Sequence, residues 1–224
     1  MENRLLHTPE GVRDIYNGEC QRKLAVENKI LGTFYQYGYE HIETPSFEYF
    51  DIFNKDRGSV GDKEMFKFFD RDNNTLVLKP DMTPAVARCV AKYYMDDPMP
   101  LRLCYLERTY KNNTSYQGRL KETTQTGAEL IGDDSEQADA ELLAMVIESL
   151  QQTGLKEFQV EIGHADFFRG LTEEAGMDGQ TREDLRELIE NKNYFGVEEL
   201  LDSQEISEES RRSFLTLMEL FGSA

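Results

Sequence analysis

The spacing of apolar positions predicts two long helices in the first two thirds of the chain, and a helix start signal predicts a third between them. Over residues 18–37 the apolar positions fall on one helical stripe. A second helix is predicted from Thr83 to about Tyr94, with Pro84 at its first position. A third is predicted to begin after Asp134, which would cap it, and to end at Gly154. After residue 166 the pattern predicts short helices rich in acidic residues.

Extended segments lie between these helices. Residues 65–70 and 75–79 predict a hairpin, and 39–45 a short extended run that Pro45 stops. The remaining expectations are strands at 101–108, 118–131 and 158–162, and a helix start at 46–53. Strands joined by hairpins, with helices inserted at intervals, predict an α+β fold in which an antiparallel sheet is flanked by helices.

Charge divides the chain into two parts. The net charge is −18, and residues 136–224 account for −14 of it. Phosphate backbones need a basic surface, so the acidic part argues against a nucleic-acid partner there, whereas an acidic, solvated helical surface is its simplest interpretation. We expect a core over residues 1–165 and an acidic helical subdomain or insertion over 166–224.

Other function classes have little support in the sequence. No run of 18 apolar residues exists and the N-terminal residues contain no apolar signal region, so we expect a soluble, cytoplasmic protein with no membrane partner. The three cysteines are far apart and predict reduced thiols. No metal-binding spacing and no glycine-rich nucleotide loop is present, so neither a metal nor a cofactor is expected.

Strand spacing nominates one candidate binding face. Gln125 and Glu129 would point to the same side of a strand about 13 Å apart, with Gly127 leaving empty space between them. Arg119 would share that side. A small zwitterion would fit there, with a carboxylate available to its ammonium group or to a ring N–H. Alternatively, this is the polar, solvated face of a half-exposed strand.

Further candidates flank this face. Asp81 and Thr83 stand at a strand-to-helix junction, where they would either cap the helix or bind the amino group that Glu129 faces. Arg108, Arg119 and Tyr105 could contact a phosphate or another ligand. The alternative for the two arginines is that they form surface salt bridges.

These segments resemble a known family. Residues 79–84 (KPDMTP) and 125–132 (QTGAELIG) are similar to the catalytic core of histidyl-tRNA synthetase, and 38–48 resembles motif 1 of the class II synthetases. The resemblance covers about residues 5–165. It implies a class II aminoacyl-tRNA synthetase-like sheet, a homodimer formed through motif 1, and a histidine ligand. The positions that would hold histidine are Asp81, Thr83, Gln125 and Glu129.

The chain also departs from the synthetase pattern. Tyr105 stands where the resemblance places the motif 2 arginine that contacts the ATP phosphate, and a tyrosine has neither the charge nor the fork of an arginine. The chain ends before motif 3, so we expect it to be truncated relative to a longer protein.

A related family explains this combination better. The regulatory subunit of ATP phosphoribosyltransferase resembles the synthetase core and keeps a pocket similar to the one that binds histidine in the synthetase. The resemblance implies a non-catalytic subunit that acts in the first step of histidine biosynthesis. Such a subunit has no catalytic residue of its own and binds no tRNA. It senses histidine and activates a short-form catalytic subunit. A divergent histidyl-tRNA synthetase core and a stand-alone histidine-binding module are the alternatives.

Overall fold

The structure, a computed structural model, describes residues 4–53, 60–113, 118–163, 165–204 and 206–217. The chain divides into two compact units, Met1–Phe158 and Gln159–Ala224. Each unit has its own buried core.

Among its described residues, the first unit has three long helices: α1 (Asn17–Gln36), α2 (Thr83–Tyr93) and α3 (Glu136–Thr153). All three were predicted from the sequence, α1 and α3 from their apolar stripes and α2 from the start signal of Thr83 and Pro84. The start of α3 differs by one residue, because the side chain of Ser135, and not that of Asp134, accepts a hydrogen bond from the Ala138 amide. Gly154 ends α3 with φ of 103°, a left-handed conformation that glycine adopts at little cost.

The described strands of this unit form two three-stranded sheets. In one sheet, β1 (Glu40–His41) pairs in parallel with β5 (Leu101–Tyr110), which pairs antiparallel with β6 (Glu122–Ile131). In the other, β4 (Thr75–Leu78) lies between β2 (Phe47–Tyr49) and β3 (Lys67–Phe69), and both pairings are antiparallel. The α+β class with helix-flanked, mainly antiparallel sheets is confirmed.

The β5–β6 pair has a different neighbour on each face. Leu103 and Tyr105 point toward α2, where they pack with Met82 and Val86. Cys104, on the opposite face, packs with residues of α1 and α3. Alternation along the strand therefore separates the residues of β5 and β6 into two environments.

Three predicted segments differ in the structure. Residues 46–53 form β2 and a short 3-10 helix (Phe50–Ile52), because the three consecutive residues of β2 pair with Leu76–Leu78 of β4. Residues 158–162 form no strand and have no partner strand among the described residues. β6 begins only at Glu122, four residues later than predicted.

The second unit is helical in its described part. Its helices are α4 (Ala165–Glu174), α5 (Gly179–Glu190), α6 (Tyr194–Asp202) and α7 (Glu208–Leu217). They enclose a core of Met177, Leu185, Val197, Leu201 and Phe214. Asp178 caps α5 by accepting hydrogen bonds from the amides of Gln180 and Thr181.

Candidate functional site

The four predicted histidine-site residues lie together where the β4–α2 junction meets the α2-facing side of β5 and β6. Asp81 and Thr83 come from the junction, and Gln125 and Glu129 come from β6. The register of the β5–β6 ladder places Tyr105 opposite Gly127, between Gln125 and Glu129. The sequence-based grouping of these residues therefore corresponds to one cluster of side chains.

Thr83 connects the helix to the strand. Its hydroxyl donates a hydrogen bond to Oε1 of Glu129 at 2.7 Å. Met82 occupies the N-cap position of α2, and no side-chain cap is formed there. The expectation that Thr83 caps the helix is therefore wrong, because its hydroxyl is already used across the cluster. Pro84, which lacks an N–H, reduces the need for a cap at this end.

Asp81 occupies the middle of the junction. Its Oδ1 accepts a hydrogen bond from the Met82 amide at 2.8 Å and one from Nε2 of Gln125 at 3.3 Å. The carboxylate is thus held at a fixed position relative to β6 while it remains half-buried.

Tyr105 fills the space that the glycine leaves. A Cβ atom placed on Gly127 would lie 2.5 Å from the Tyr105 hydroxyl oxygen. The hydroxyl lies 3.4 Å from Oε1 of Glu129 and donates to it, and the tyrosine is only 3% exposed. The sequence predicted empty space above Gly127; in the structure a phenol occupies it, because the partner strand supplies a large side chain at this register position.

The electrostatics of the cluster favour a cationic ligand. Burial raises the pKa of the Glu129 carboxyl, the charge of Asp81 raises it further, and the hydrogen bonds from Thr83 and Tyr105 lower it. Burial likewise raises the pKa of the Tyr105 phenol, with the charges of Glu129 and Asp81 adding to the effect. A positive group placed between the two carboxylates would relieve their repulsion and their desolvation.

The two arginines named from the sequence lie elsewhere. Arg108 is on the opposite face of the ladder, where its Nη1 is 2.6 Å from Oε1 of Glu122. Arg119 is exposed and precedes the start of β6, so the strand alternation that would align it with Gln125 does not reach it. In the described part of the chain, neither guanidinium hydrogen-bonds Thr83, Gln125 or Glu129. Tyr105, the third candidate for a phosphate contact, lies within the cluster, where its phenol covers Gly127 and donates to Glu129.

Arg108 instead borders a cleft on the α1 side of the sheet. This cleft has a volume of about 1060 Å³ and is lined by the segment before α1, the first turns of α1 and the ends of β5 and β6. Its cations Arg13, Lys23 and Arg108 are ion-paired with Glu19, Glu27 and Glu122. Because each of these cations already has a carboxylate partner, the cleft is not favoured as an anion site.

The sequence did not single out a buried ion pair beside the cluster. Lys79 is fully buried, and its Nζ lies 2.9 Å from Oε2 of Glu107. Glu107 is opposite Gln125 in the ladder. One signal in the sequence could have identified this ion pair: Lys79 directly follows the apolar run of β4 and precedes a proline. A charged residue in such a position is rarely buried unless it is paired.

The described residues also bear on two other kinds of site, a metal centre and a membrane span. Within those ranges no group of three His, Cys, Asp or Glu side chains is arranged to hold a metal ion. None of the described helices is both long enough and apolar enough to cross a membrane.

Comparisons with known proteins identify relatives along nearly the whole chain. A family model described as histidyl-tRNA synthetase matches residues 11–224. A protein of Ruminiclostridium cellulolyticum named ATP phosphoribosyltransferase regulatory subunit is 43% identical over 97% of this chain and 52% of its own length.

Solved structures agree with the sequence relatives. A Bacillus halodurans structure described as an ATP phosphoribosyltransferase regulatory subunit/histidyl-tRNA synthetase has a TM-score of 0.86 and 34% identity, and the match covers 96% of this chain and 56% of that one. An Alicyclobacillus acidocaldarius structure described as a histidine–tRNA ligase subunit has a TM-score of 0.76 and 26% identity, over 89% of this chain and 58% of that one.

The chain spans about half the length of the curated relatives that it matches. Both resemblances predicted from the sequence, to the synthetase core and to the regulatory subunit, are confirmed by these matches. Because the family model covers residues 11–224, the chain belongs to the histidyl-tRNA synthetase family.

Proposed function

We propose that this chain is part of a regulatory subunit of ATP phosphoribosyltransferase, which acts in the first step of histidine biosynthesis. Relatives that are 43%, 40% and 37% identical over at least 97% of the chain have this name. The subunit is proposed to be non-catalytic and to activate a separate, short-form catalytic subunit.

Histidine is the proposed ligand of the cluster. The observation that carries this proposal is the convergence of Asp81, Thr83, Gln125 and Glu129, linked pairwise by hydrogen bonds of 2.7 and 3.3 Å. Two carboxylates, an amide and a hydroxyl offer acceptors to an ammonium group and to an imidazole N–H. Binding would favour one state of the complex with the catalytic subunit over another, which is how feedback by histidine would act.

Further features of the proposal follow from charge and exposed surface. The acidic helices of the second unit would repel a tRNA backbone, so no tRNA partner is proposed. A homodimer through the motif 1 region would cover Phe47 and Tyr49, which are 51% and 57% exposed. The cytoplasm, where the small metabolites of this pathway are found, is the proposed location.

The full-length protein tests the proposal directly. Isothermal titration with histidine is expected to show binding that Glu129→Gln weakens strongly. Mixing the protein with a short-form catalytic subunit is expected to raise phosphoribosyltransferase activity, and histidine is expected to reduce it. A protein that binds histidine but leaves that activity unchanged would instead be a stand-alone histidine-binding module.

Histidyl-tRNA synthetase is the second candidate function. The name of the matching family model and the double description of the Bacillus halodurans structure favour it. The tyrosine at position 105, where the resemblance expects an arginine, favours the regulatory subunit. Histidine-dependent ATP–pyrophosphate exchange by the full-length protein would decide for the synthetase.

A further inference from the structure

A buried ion pair adjoins the proposed histidine site without belonging to it. Lys79 is fully buried, and its ammonium group makes three contacts: 3.1 Å to the main-chain oxygen of Thr44, 3.2 Å to the Thr44 hydroxyl and 2.9 Å to Oε2 of Glu107. The three donors of the ammonium group are therefore all used. Lys79 is held by its surroundings and cannot itself serve as a ligand contact.

The main chain of Lys79 is also anchored on both sides. Its amide donates to the Ser46 carbonyl at 3.1 Å, and its carbonyl accepts from the Tyr110 amide at 2.9 Å. Lys79 thus ties the segment before β2 to the end of β5. Asp81 follows only two residues later, so the anchor sets the position at which the junction enters the site.

Glu107 provides the connection to the other half of the site. It lies opposite Gln125 in the β5–β6 ladder, on the face that holds the cluster. Gln125 in turn donates to Asp81. Lys79 is paired with Glu107, Glu107 lies opposite Gln125 in the ladder, and Gln125 donates to Asp81. The main chain through Pro80 leads from Asp81 back to Lys79. These links join the β4–α2 junction to the β5–β6 ladder, the two parts of the chain that build the pocket.

Stability alone is a weak reason for such a pair. Desolvation of two charges offsets much of their attraction, and apolar residues of similar volume often stabilise a protein equally well. An ion pair does, however, fix an orientation that apolar side chains leave free, because its hydrogen bonds are directional.

We propose that Lys79 and Glu107 are positioning residues for the histidine site, which hold Asp81 and Gln125 at the separation that the ligand requires. The inference rests on the proposed function of that site. It adds two residues that do not contact the ligand but determine its affinity.

A double-mutant cycle in the full-length protein tests this role. Glu107→Gln keeps the size of the side chain and removes its charge. We expect it to raise the Kd for histidine at least about fivefold, and to have little further effect when Gln125 is already alanine, since coupled neighbours are non-additive. The matched control is Glu122→Gln, which breaks the Arg108 ion pair on the opposite face of the same ladder and should leave the Kd unchanged.

The outcomes distinguish a failure of the proposed function from a failure of the positioning role. A wild-type protein that binds no histidine overturns the proposed function. Wild-type binding with an unchanged Kd in Glu107→Gln, or with fully additive effects of Glu107→Gln and Gln125→Ala, overturns the positioning role. If Glu107→Gln does not fold, the neutral pair Lys79→Met with Glu107→Leu replaces it; a folded protein with wild-type affinity contradicts the inference, and a folded protein with at least fivefold weaker binding supports it.

Discussion

The Tyr105 phenol lies over Gly127, its partner across the β5–β6 ladder, and reaches Glu129 two residues further along β6. No side chain other than hydrogen fits at position 127 without moving the phenol, because a Cβ atom there would be 2.5 Å from the hydroxyl oxygen. The glycine and the tyrosine together form the floor of the proposed histidine site.

Gly127→Ala is expected to destabilise the first unit by about 1–3 kcal/mol, which is the usual cost of overpacking. It should also weaken histidine binding, because the displaced phenol no longer supports Glu129. Urea unfolding and isothermal titration measure the two effects. Gly32→Ala in α1 is the control, since no heavy atom lies within 4 Å of its added Cβ. That variant should be more stable by about 1 kcal/mol and should bind normally.

Glu129→Gln is expected to separate affinity from stability. The variant should bind histidine at least about tenfold more weakly, because hydrogen bonds to a charged group contribute roughly 1.5–3 kcal/mol. At neutral pH it should also melt at a higher temperature, since burial makes the ionised carboxylate unfavourable in the folded protein. A lower melting temperature with intact binding would contradict both statements.

The affinity for histidine should depend on pH in one direction. The pKa of Glu129 is raised above the ordinary value of 4.5, so lowering the pH protonates it earlier than an ordinary carboxyl. As the pH is lowered, the Kd should therefore begin to rise while the pH is still above 4.5. Over the same interval, the contribution of Glu129 to the free energy of unfolding increases as the pH falls. The Glu129→Gln variant is the control, because its remaining pH dependence reports the imidazole of the ligand, whose pKa is about 6.5.

Phe214→Ala is expected to destabilise the second unit by roughly 3–5 kcal/mol, because the ring is fully buried in that core. Histidine affinity should not change, since the four candidate residues all lie in the first unit. Hydrogen exchange resolved along the chain measures the first effect and isothermal titration the second. Phe195→Ala, at a position that is 76% exposed, should stay within about 0.5 kcal/mol of the wild type.

The sequence predicted the elements whose signal is local. The helical stripes of α1 and α3, the β3–β4 hairpin and the start of α2 at Thr83 all depend on spacing within one segment. The four proposed ligand residues could also be grouped, because the family resemblance links positions that spacing alone cannot connect. Their common location in the structure agrees with that grouping.

The features that depend on a partner segment were missed. Residues 47–49 become a strand because β4 lies beside them, and Arg119 is not aligned with Gln125 because β6 begins only at Glu122. The burial of Lys79 requires Thr44 and Glu107, which are 35 and 28 residues away. Periodicity within a window carries no information about such contacts.

Thr83 and Glu129 are 46 residues apart in the chain, and Asp81 and Gln125 are 44 apart. Histidine held by all four residues would link the β4–α2 junction to β6 and would bind only the folded first unit. At a concentration one hundred times its Kd, it would add about 2.7 kcal/mol to the folding free energy of the first unit. The supply of histidine would then raise the folded fraction of the protein as well as regulate the complex.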